Sequence, residues 1–332
     1  MIIYQRGSQS FSANSYGYTL DRWELSNYID DTITVTQDSD VPTGEGFGNS
    51  MKITGSSGDN SLDASDYLTM VTKLEGQDLQ QLKKGTSNAV PITFSFWIKA
   101  TTTGTYIVEF ADNDNTRKIS KSYTVSSSNT WEKKEITVDA DTTGTLDDNR
   151  DNSLWIQMWF AAGSSLTSGS LNSSWTASTT TNTRVVGQVN GMSSSSHNIY
   201  LTGVQLEIGE KATEFEHEPY ERTLNRCWRY FNRITGSNCR EFAGYNESTT
   251  KGLHVFRHPV RMRGTPTLGV SSTVSNYIIA YSNTQTACSS ALVFNTTNDE
   301  GVTFYSTVAS GLTAGGASAL RNIDYIDLKA EL

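Results

Sequence analysis

Short segments whose apolar residues recur at every second position constrain this chain most. Ile92, Phe94, Phe96 and Ile98 alternate with Thr93, Ser95, Trp97 and Lys99. Tyr106, Val108 and Phe110 follow the same rhythm, as do Leu154, Ile156, Met158 and Phe160, which alternate with Trp155, Gln157 and Trp159. Glu135 to Val138 adds a further segment after Trp131. A period of two sends successive side chains to opposite faces of an extended strand, so each segment reads as a strand with one buried face. The spacers TTTG, DNDN and SSSN are turn formers. Such strands in succession predict an antiparallel β-sandwich over residues 1–216. Leu74 to Leu82 reads as a short helix inserted between strands. Gly163 to Ser196 is dominated by Ser, Thr, Asn and Gly, with Trp175, Val185 and Val186 among its few large apolar groups. It reads as a long surface loop with some strand inside it, and long loops in compact domains tend to be functional or mobile.

One strong helical pattern interrupts the strands. Val204, Leu206 and Ile208 alternate with Gln205, Glu207 and Gly209, and the chain then turns away over Lys211 to Glu216. Pro219 suits a first helical position, where its missing N–H has no partner to lose. Tyr220, Leu224, Cys227, Trp228 and Phe231 share one face of a helix predicted to run to Arg233 and stop at Gly236. Residues 217–234 are therefore expected to form a connecting helix. The spacing of Tyr220, Leu224, Cys227 and Phe231 also fits two heptads, so the stripe packs either on its own sheets or around a threefold axis. With a single helix of this kind, an α/β fold is excluded. Residues 235–332 are expected to form a second, smaller β domain. Its strand candidates are Leu253–Phe256, Tyr277–Tyr281, Ala291–Phe294, Val302–Tyr305 and Ile323–Leu328, with a small-residue loop over Gly311–Ala319.

The 332 residues carry a net charge of −9, which repels nucleic acid. Arg222, Arg226, Arg229 and Arg233 form the one basic cluster, and it reads as the solvated side of the helix. Cys227, Cys239 and Cys288 make no disulfide framework. The N-terminus lacks the apolar core and small-residue cleavage pattern of a secretion leader. No stretch reaches the roughly 20 apolar residues of a membrane span, so membrane insertion is not expected.

Sequence motifs for catalysis, cofactors or metals are missing: no G-x-S-x-G, H-E-x-x-H or phosphate-binding loop occurs. His254 and His258 lie on a strand, where four residues span about 13 Å, too far to share one ion. Asp139, Asp141, Thr143 and Gly144 imitate the start of a calcium loop, but Arg150 stands where a bidentate Glu is needed. A solvated hairpin is the simpler reading, and Asp112 to Asn115 reads as a turn. Carboxylate pairs for glycan cleavage are not visible as a motif, since the two groups can be distant in sequence.

The remaining candidates are aromatic. With the alternating apolar residues inward, Trp97, Trp155 and Trp159 point away from the core, together with Gln157 and Lys99. Exposed indoles beside amides and hydroxyls bind sugars, the ring covering C–H faces and the polar groups holding hydroxyls. Alternatively, these rings pack beneath the 163–196 loop or against a neighbouring subunit. Trp175, inside that loop, is a separate candidate contact.

Several motifs in order resemble bacteriophage tail-fibre and related virion proteins: Asp21-Arg22-Trp23, SFWIKA at 95–100, Gly104-Thr105-Tyr106 and Thr130-Trp131-Glu132. They continue with the VQLE-x-G-x-x-A-T-x-F-E run from Val204, then Cys227-Trp228-Arg229-Tyr230-Phe231, then Pro259 to Arg263 with Pro266-Thr267, and a terminal Ala330-Glu331-Leu332. The resemblance implies an all-β protein: an N-terminal jelly roll like a carbohydrate-binding module, the connecting helix, and a smaller C-terminal β-sandwich-like domain. It further implies a homotrimer in the virion, assembled in the host cytoplasm beside other virion proteins, that attaches to bacterial surface glycans. It brings no catalytic residue. The rival expectation is a purely structural fibre, connector or capsid decoration without a sugar site.

Overall fold

The computed structural model describes residues 2–178, 180–235, 242–282, 284–322 and 324–332. Gly236, Cys239 and Ile323 lie outside the described residues. The chain divides into two compact units, Met1–Glu218 with Leu332, and Pro219–Glu331.

The alternating segments of the first unit become strands because each has one face to bury. These strands are β1 (Gln9–Phe11), β2 (Ser15–Tyr18), β3 (Glu24–Tyr28), β4 (Ile33–Asp38), β5 (Ser50–Gly55) and β6 (Tyr67–Glu75). They continue with β7 (Ile92–Ala100), β8 (Gly104–Asp112), β9 (Arg117–Val125), β10 (Glu132–Val138), β11 (Asn152–Ala162), β12 (Thr176–Ala177) and β13 (Asn198–Ile208). One sheet runs β1-β4-β5-β13-β7-β10, the other β12-β9-β8-β11-β6-β3-β2. All their pairings are antiparallel. The two sheets form a jelly-roll sandwich. Phe94, Phe96 and Ile98 of β7 meet Tyr106, Val108, Phe110, Ile156, Met158 and Phe160 of the opposite sheet in one core. Each such side chain contributes about 1.5–3 kcal/mol by leaving water. The helix expected over Leu74–Leu82 is instead the end of β6 and two 3₁₀ turns, Gly76–Asp78 and Gln80–Leu82. Leu79 and Leu82 are buried at single-turn spacing, which a full helix does not require.

The last strand, β13, departs from simple alternation. Its register against β7 shifts between Thr202 and Gln205. Gly203 sits in this bulge at φ +57°. The extra residue flips the parity: Ile199 and Leu201 face the core before it, Val204 and Leu206 after it. Ile208, expected on the same buried face, lies beyond the core and is half exposed.

The second unit opens with helix α2 (Tyr220–Trp228), after a four-residue α1 (Ser164–Thr167) in the first. The expected helix to Arg233 is therefore five residues too long. Phe231 starts strand β14 (Phe231–Thr235), which pairs with Tyr325–Lys329. Pairing of the aromatic and β-branched run FNRIT overrides the helical spacing that continues through it. Cys227 and Phe231 are buried, Leu224 and Trp228 partly so, and Tyr220 is exposed. These side chains therefore do not form one continuous helical seam.

Further strands are β15 (Phe242–Asn246), β16 (Lys251–Arg257), β17 (Thr267–Val270), β18 (Tyr277–Tyr281), β19 (Thr284–Ala287), β20 (Val293–Thr297), β21 (Gly301–Thr307), β22 (Ala317–Asn322) and β23 (Tyr325–Lys329). They form a three-stranded sheet, β14-β23-β17, and a seven-stranded sheet, β19-β18-β22-β15-β16-β21-β20. Phe242, Ile279, Phe304, Leu320, Ile326 and Leu328 share the core between them. The small-residue stretch read as a loop over Gly311–Ala319 becomes strand β22 from Ala317 onward.

Candidate functional site

Strand register places Lys52, Tyr200 and Lys99 side by side on the outer face of the first sheet. Tyr200 of β13 is the direct partner of Lys52 on β5 and of Lys99 on β7. The Lys99 ammonium lies 4.3 Å from the Tyr200 ring centroid and that of Lys52 5.3 Å. Trp131, just before β10, meets Tyr200 edge-on at 6.2 Å between centroids. Its indole N–H donates to Asp40 Oδ1 at 2.9 Å, and Lys99 pairs with the same carboxylate. Lys52 is 3.4 Å from Asp38. Partial burial pushes the Asp40 carboxyl up, but hydrogen bonds from Lys99 and Trp131 outweigh it and hold the group below the usual carboxylate range. The Tyr200 oxygen and the Asp38 charge raise Lys52 against a smaller opposing effect of burial. The result is two partly buried aromatic rings, Tyr200 with the Lys99 and Lys52 ammonium groups over it and Trp131 at its edge, beside two carboxylates, a surface that offers both donors and acceptors.

The lower half of the same face is covered. Trp97 pairs with Thr202, and Phe47, Phe215 and His217 cluster nearby with ring centroids 4.9–5.2 Å apart. The segment after β13 was expected to turn away, but it folds back along the strand. Gln205 Oε1 accepts from the Glu216 N–H at 2.9 Å, and Glu207 accepts from the Thr213 N–H and hydroxyl at 3.1 and 2.5 Å. The Gln, Glu, Thr and Glu of the V-Q-L-E run and its continuation thus form a clasp, a structural use of that motif.

The expectation that Trp97, Trp155 and Trp159 share one outer face is corrected. Trp97 stands on the first sheet, while Trp155, Gln157 and Trp159 stand on the outer face of the second. Alternation says that a residue points outward but not from which sheet. Trp159 is only 1% exposed, packed with Ile107, Leu166 and Val185 under the 163–196 loop. Gln157 is also buried, and its Oε1 accepts from Arg184 at 3.1 Å. Trp155 is partly buried at the rim, its N–H bonded to Asn152 Oδ1 at 3.0 Å and its ring 5.1 Å from Lys73. Trp175 donates to the Asp139 carbonyl at 2.8 Å and lies 5.1 Å from Lys84, so it is a packing residue of the sheet edge.

The acidic loop is held by the protein's own cations. Asp141 takes Arg117 at 2.8 Å and Lys84 at 2.9 Å, and Lys84 also pairs with Asp112. His254 and His258 belong to separate environments. His254 is buried between the hydroxyls of Ser306 (2.9 Å) and Ser318 (3.1 Å), and burial lowers it to about 4. His258 faces the Asn298 carbonyl at 3.3 Å. Among the described residues, no group of three or more His, Cys, Asp or Glu is placed to hold a metal ion. No helix among them is long and apolar enough to cross a membrane.

Tyr200, Lys52 and Asp40 were not singled out from the sequence. A polar face on a central strand carries no local signature until its neighbours are known, although Trp131 was legible through its T-W-E context.

No protein-family model matches the chain, and no curated protein matches it. Among solved structures, the enzymatically active domain of tailspike protein 4 of bacteriophage CBA120 aligns at 15% identity and TM-score 0.32. That match covers 56% of this chain and 19% of the tailspike chain, so the chain spans about a fifth of it. A family 11 carbohydrate-binding module from Clostridium thermocellum, solved with a mixed-linked tetrasaccharide, aligns at 16% identity and TM-score 0.31, over 62% of this chain and 98% of the module. A CBM61 module solved with β-1,4-galactotriose aligns at 12% identity and TM-score 0.29, over 57% and 88%. At such TM-scores these likenesses assign neither a family nor a function.

Proposed function

We propose that this chain is a bacteriophage virion-appendage protein that attaches to the host surface by binding bacterial glycans on the Tyr200 face, without catalytic turnover. The observation that carries the reading is the rigid Tyr200–Trp131 pair with its flanking Lys52, Lys99 and Asp40. A pyranose ring that displaces a lysine ammonium from Tyr200 would stack on the ring and find ammonium and carboxylate groups at its hydroxyls. The ordered tail-fibre motifs supply the virion context, and a homotrimer would let three weak sites act together through avidity. Binding to arrayed bacterial glycans and to host cells, compared with Tyr200→Ala and Trp131→Ala, tests it. The expected loss is about tenfold or more per variant. Wild-type binding that both variants retain in full removes the site, and no binding by the wild type removes the reading.

A structural role as fibre, connector or capsid decoration is favoured by one observation. Tyr245, Val255 and Val293 are exposed large apolar groups of the second unit. Tight association with another virion protein, in the absence of glycan binding, would select that role.

A further inference from the structure

The outer face of the second sheet is covered by the 163–196 loop, and what lies beneath is not an apolar core alone. Glu109 of β8 is fully buried there, as is Thr69 of β6, the register partner of Trp159. Ser120, the register partner of Glu109, is fully buried as well. Among the described residues, the Trp159 indole N–H and the Thr69 and Ser120 hydroxyls have no hydrogen-bond partner. Three orphaned polar groups on one buried face are costly, each worth a lost hydrogen bond.

One side chain of the loop fills part of this face. The Arg184 guanidinium lies 4.8 Å from the Trp159 ring centroid, donates to Glu109 at 3.0 and 3.2 Å through Nε, and reaches Gln157 Oε1 at 3.1 Å. A flat group stacked on an indole and hydrogen-bonded to an acid and an amide makes the contacts a sugar ring makes. It leaves the Thr69 and Ser120 hydroxyls unserved. Trp155, two residues before Gln157 on the same side of β11, continues the face to an open rim.

We infer that residues 163–172 and 180–187, which flank the edge strand β12 and are latched by Arg184, cover a second face that recognises a neutral, hydroxyl-rich ligand such as an oligosaccharide. This does not rest on the Tyr200 face. On this face Leu166 and Val185 are the buried apolar anchors of the cover, with Leu171 partly buried beside them, while Met192, Val189 and Trp175 tie the adjoining residues to the main core. Most of the other residues between Leu166 and Val185 are Ser, Thr, Asn and Gly. Loops held by few apolar contacts open below the global unfolding free energy.

The test uses the full chain carrying Tyr200→Ala and Trp131→Ala, which silences the first face, with and without Arg184→Ala. Cellohexaose and xylohexaose, both neutral, serve as probes in calorimetric titration. The expected result is that Arg184→Ala gains affinity for at least one probe by about tenfold or more. A folded Arg184→Ala chain that binds neither of them overturns the proposal. Should that variant fail to fold, hydrogen exchange on the wild type decides. The bonded amides of Gly169 and Val185 are expected to exchange about a hundredfold faster than those of β11. Exchange of loop and strand at one common rate overturns the cover.

Discussion

Replacing Gly203 by alanine isolates the bulge that builds the candidate face. At φ +57° an alanine costs about 1 kcal/mol relative to glycine. A Cβ there would stand 2.5 Å from Phe47 Cζ and 3.0 Å from Trp97 Cδ1, closer than carbon atoms approach. Forcing a methyl into such a packed site costs about 1–3 kcal/mol. The stiffer unfolded chain returns about 0.5–1 kcal/mol to the opposing side by destabilising the denatured state. The net expectation is a loss of about 1–3.5 kcal/mol, roughly 3–12 °C in Tm for a unit of this size. Six of the seven tryptophans precede Pro219, so urea unfolding followed by tryptophan fluorescence reports mainly on the first unit. Phe47→Ala should absorb most of the steric part and leave Gly203→Ala costing about 0.5 kcal/mol or less, a coupling of about 1–3 kcal/mol. A single-variant cost below about 0.5 kcal/mol, or a cost unchanged when Phe47 is truncated, would refute the reasoning.

Three further outcomes follow from buried polar groups. Asp141→Ala leaves Lys84 and Arg117 short of a carboxylate and should cost the first unit about 3 kcal/mol in urea unfolding. Partial burial raises Asp141, but its bonds to Arg117 and Lys84 outweigh this and lower it overall. Its contribution is therefore complete above the unfolded-state carboxyl range and is lost as pH falls through the lower folded value, which Asp141→Asn should abolish in an acid titration. His254 is lowered from 6.5 to about 4, so between those values the unfolded chain binds the proton first. Stability of the second unit should fall on acidification from pH 6.5 to 4, by up to about 3 kcal/mol, and His254→Gln should flatten that slope in thermal melts. Arg233 meets Asp327 bidentately at 2.7 and 2.8 Å across β14 and β23; Asp327→Ala should cost about 3 kcal/mol and speed hydrogen exchange in both strands.

The sandwich was legible because burial on one face writes itself into alternate residues, as in Phe94, Phe96 and Ile98. The early strands β1 to β5 were not singled out: the edge strand Ser15–Tyr18 buries too little to leave a period, whereas Ile33 and Val35 of β4 alternate with Thr34 and Thr36 and were legible. Helix α2 was found but overextended, because Phe231 satisfies helical spacing and strand pairing equally and only its partner strand decides. Trp97, Trp155 and Trp159 alternate with core residues and so leave the main core, but alternation does not make them exposed. Which sheet each belonged to, and that a loop of Ser, Thr and Asn would bury Trp159, are matters of tertiary topology. Tyr200 escaped notice for a related reason: Lys52 and Lys99 reach it only from strands far away in sequence.

The most direct test of glycan binding on the first sheet is the indole ¹H–¹⁵N spectrum of the full chain, titrated with host lipopolysaccharide oligosaccharide. The Trp131 N–H, bonded to Asp40 at the rim of Tyr200, should shift progressively with ligand, while the buried Trp23 resonance stays in place. A Trp131 signal that does not move at saturating oligosaccharide would contradict the account.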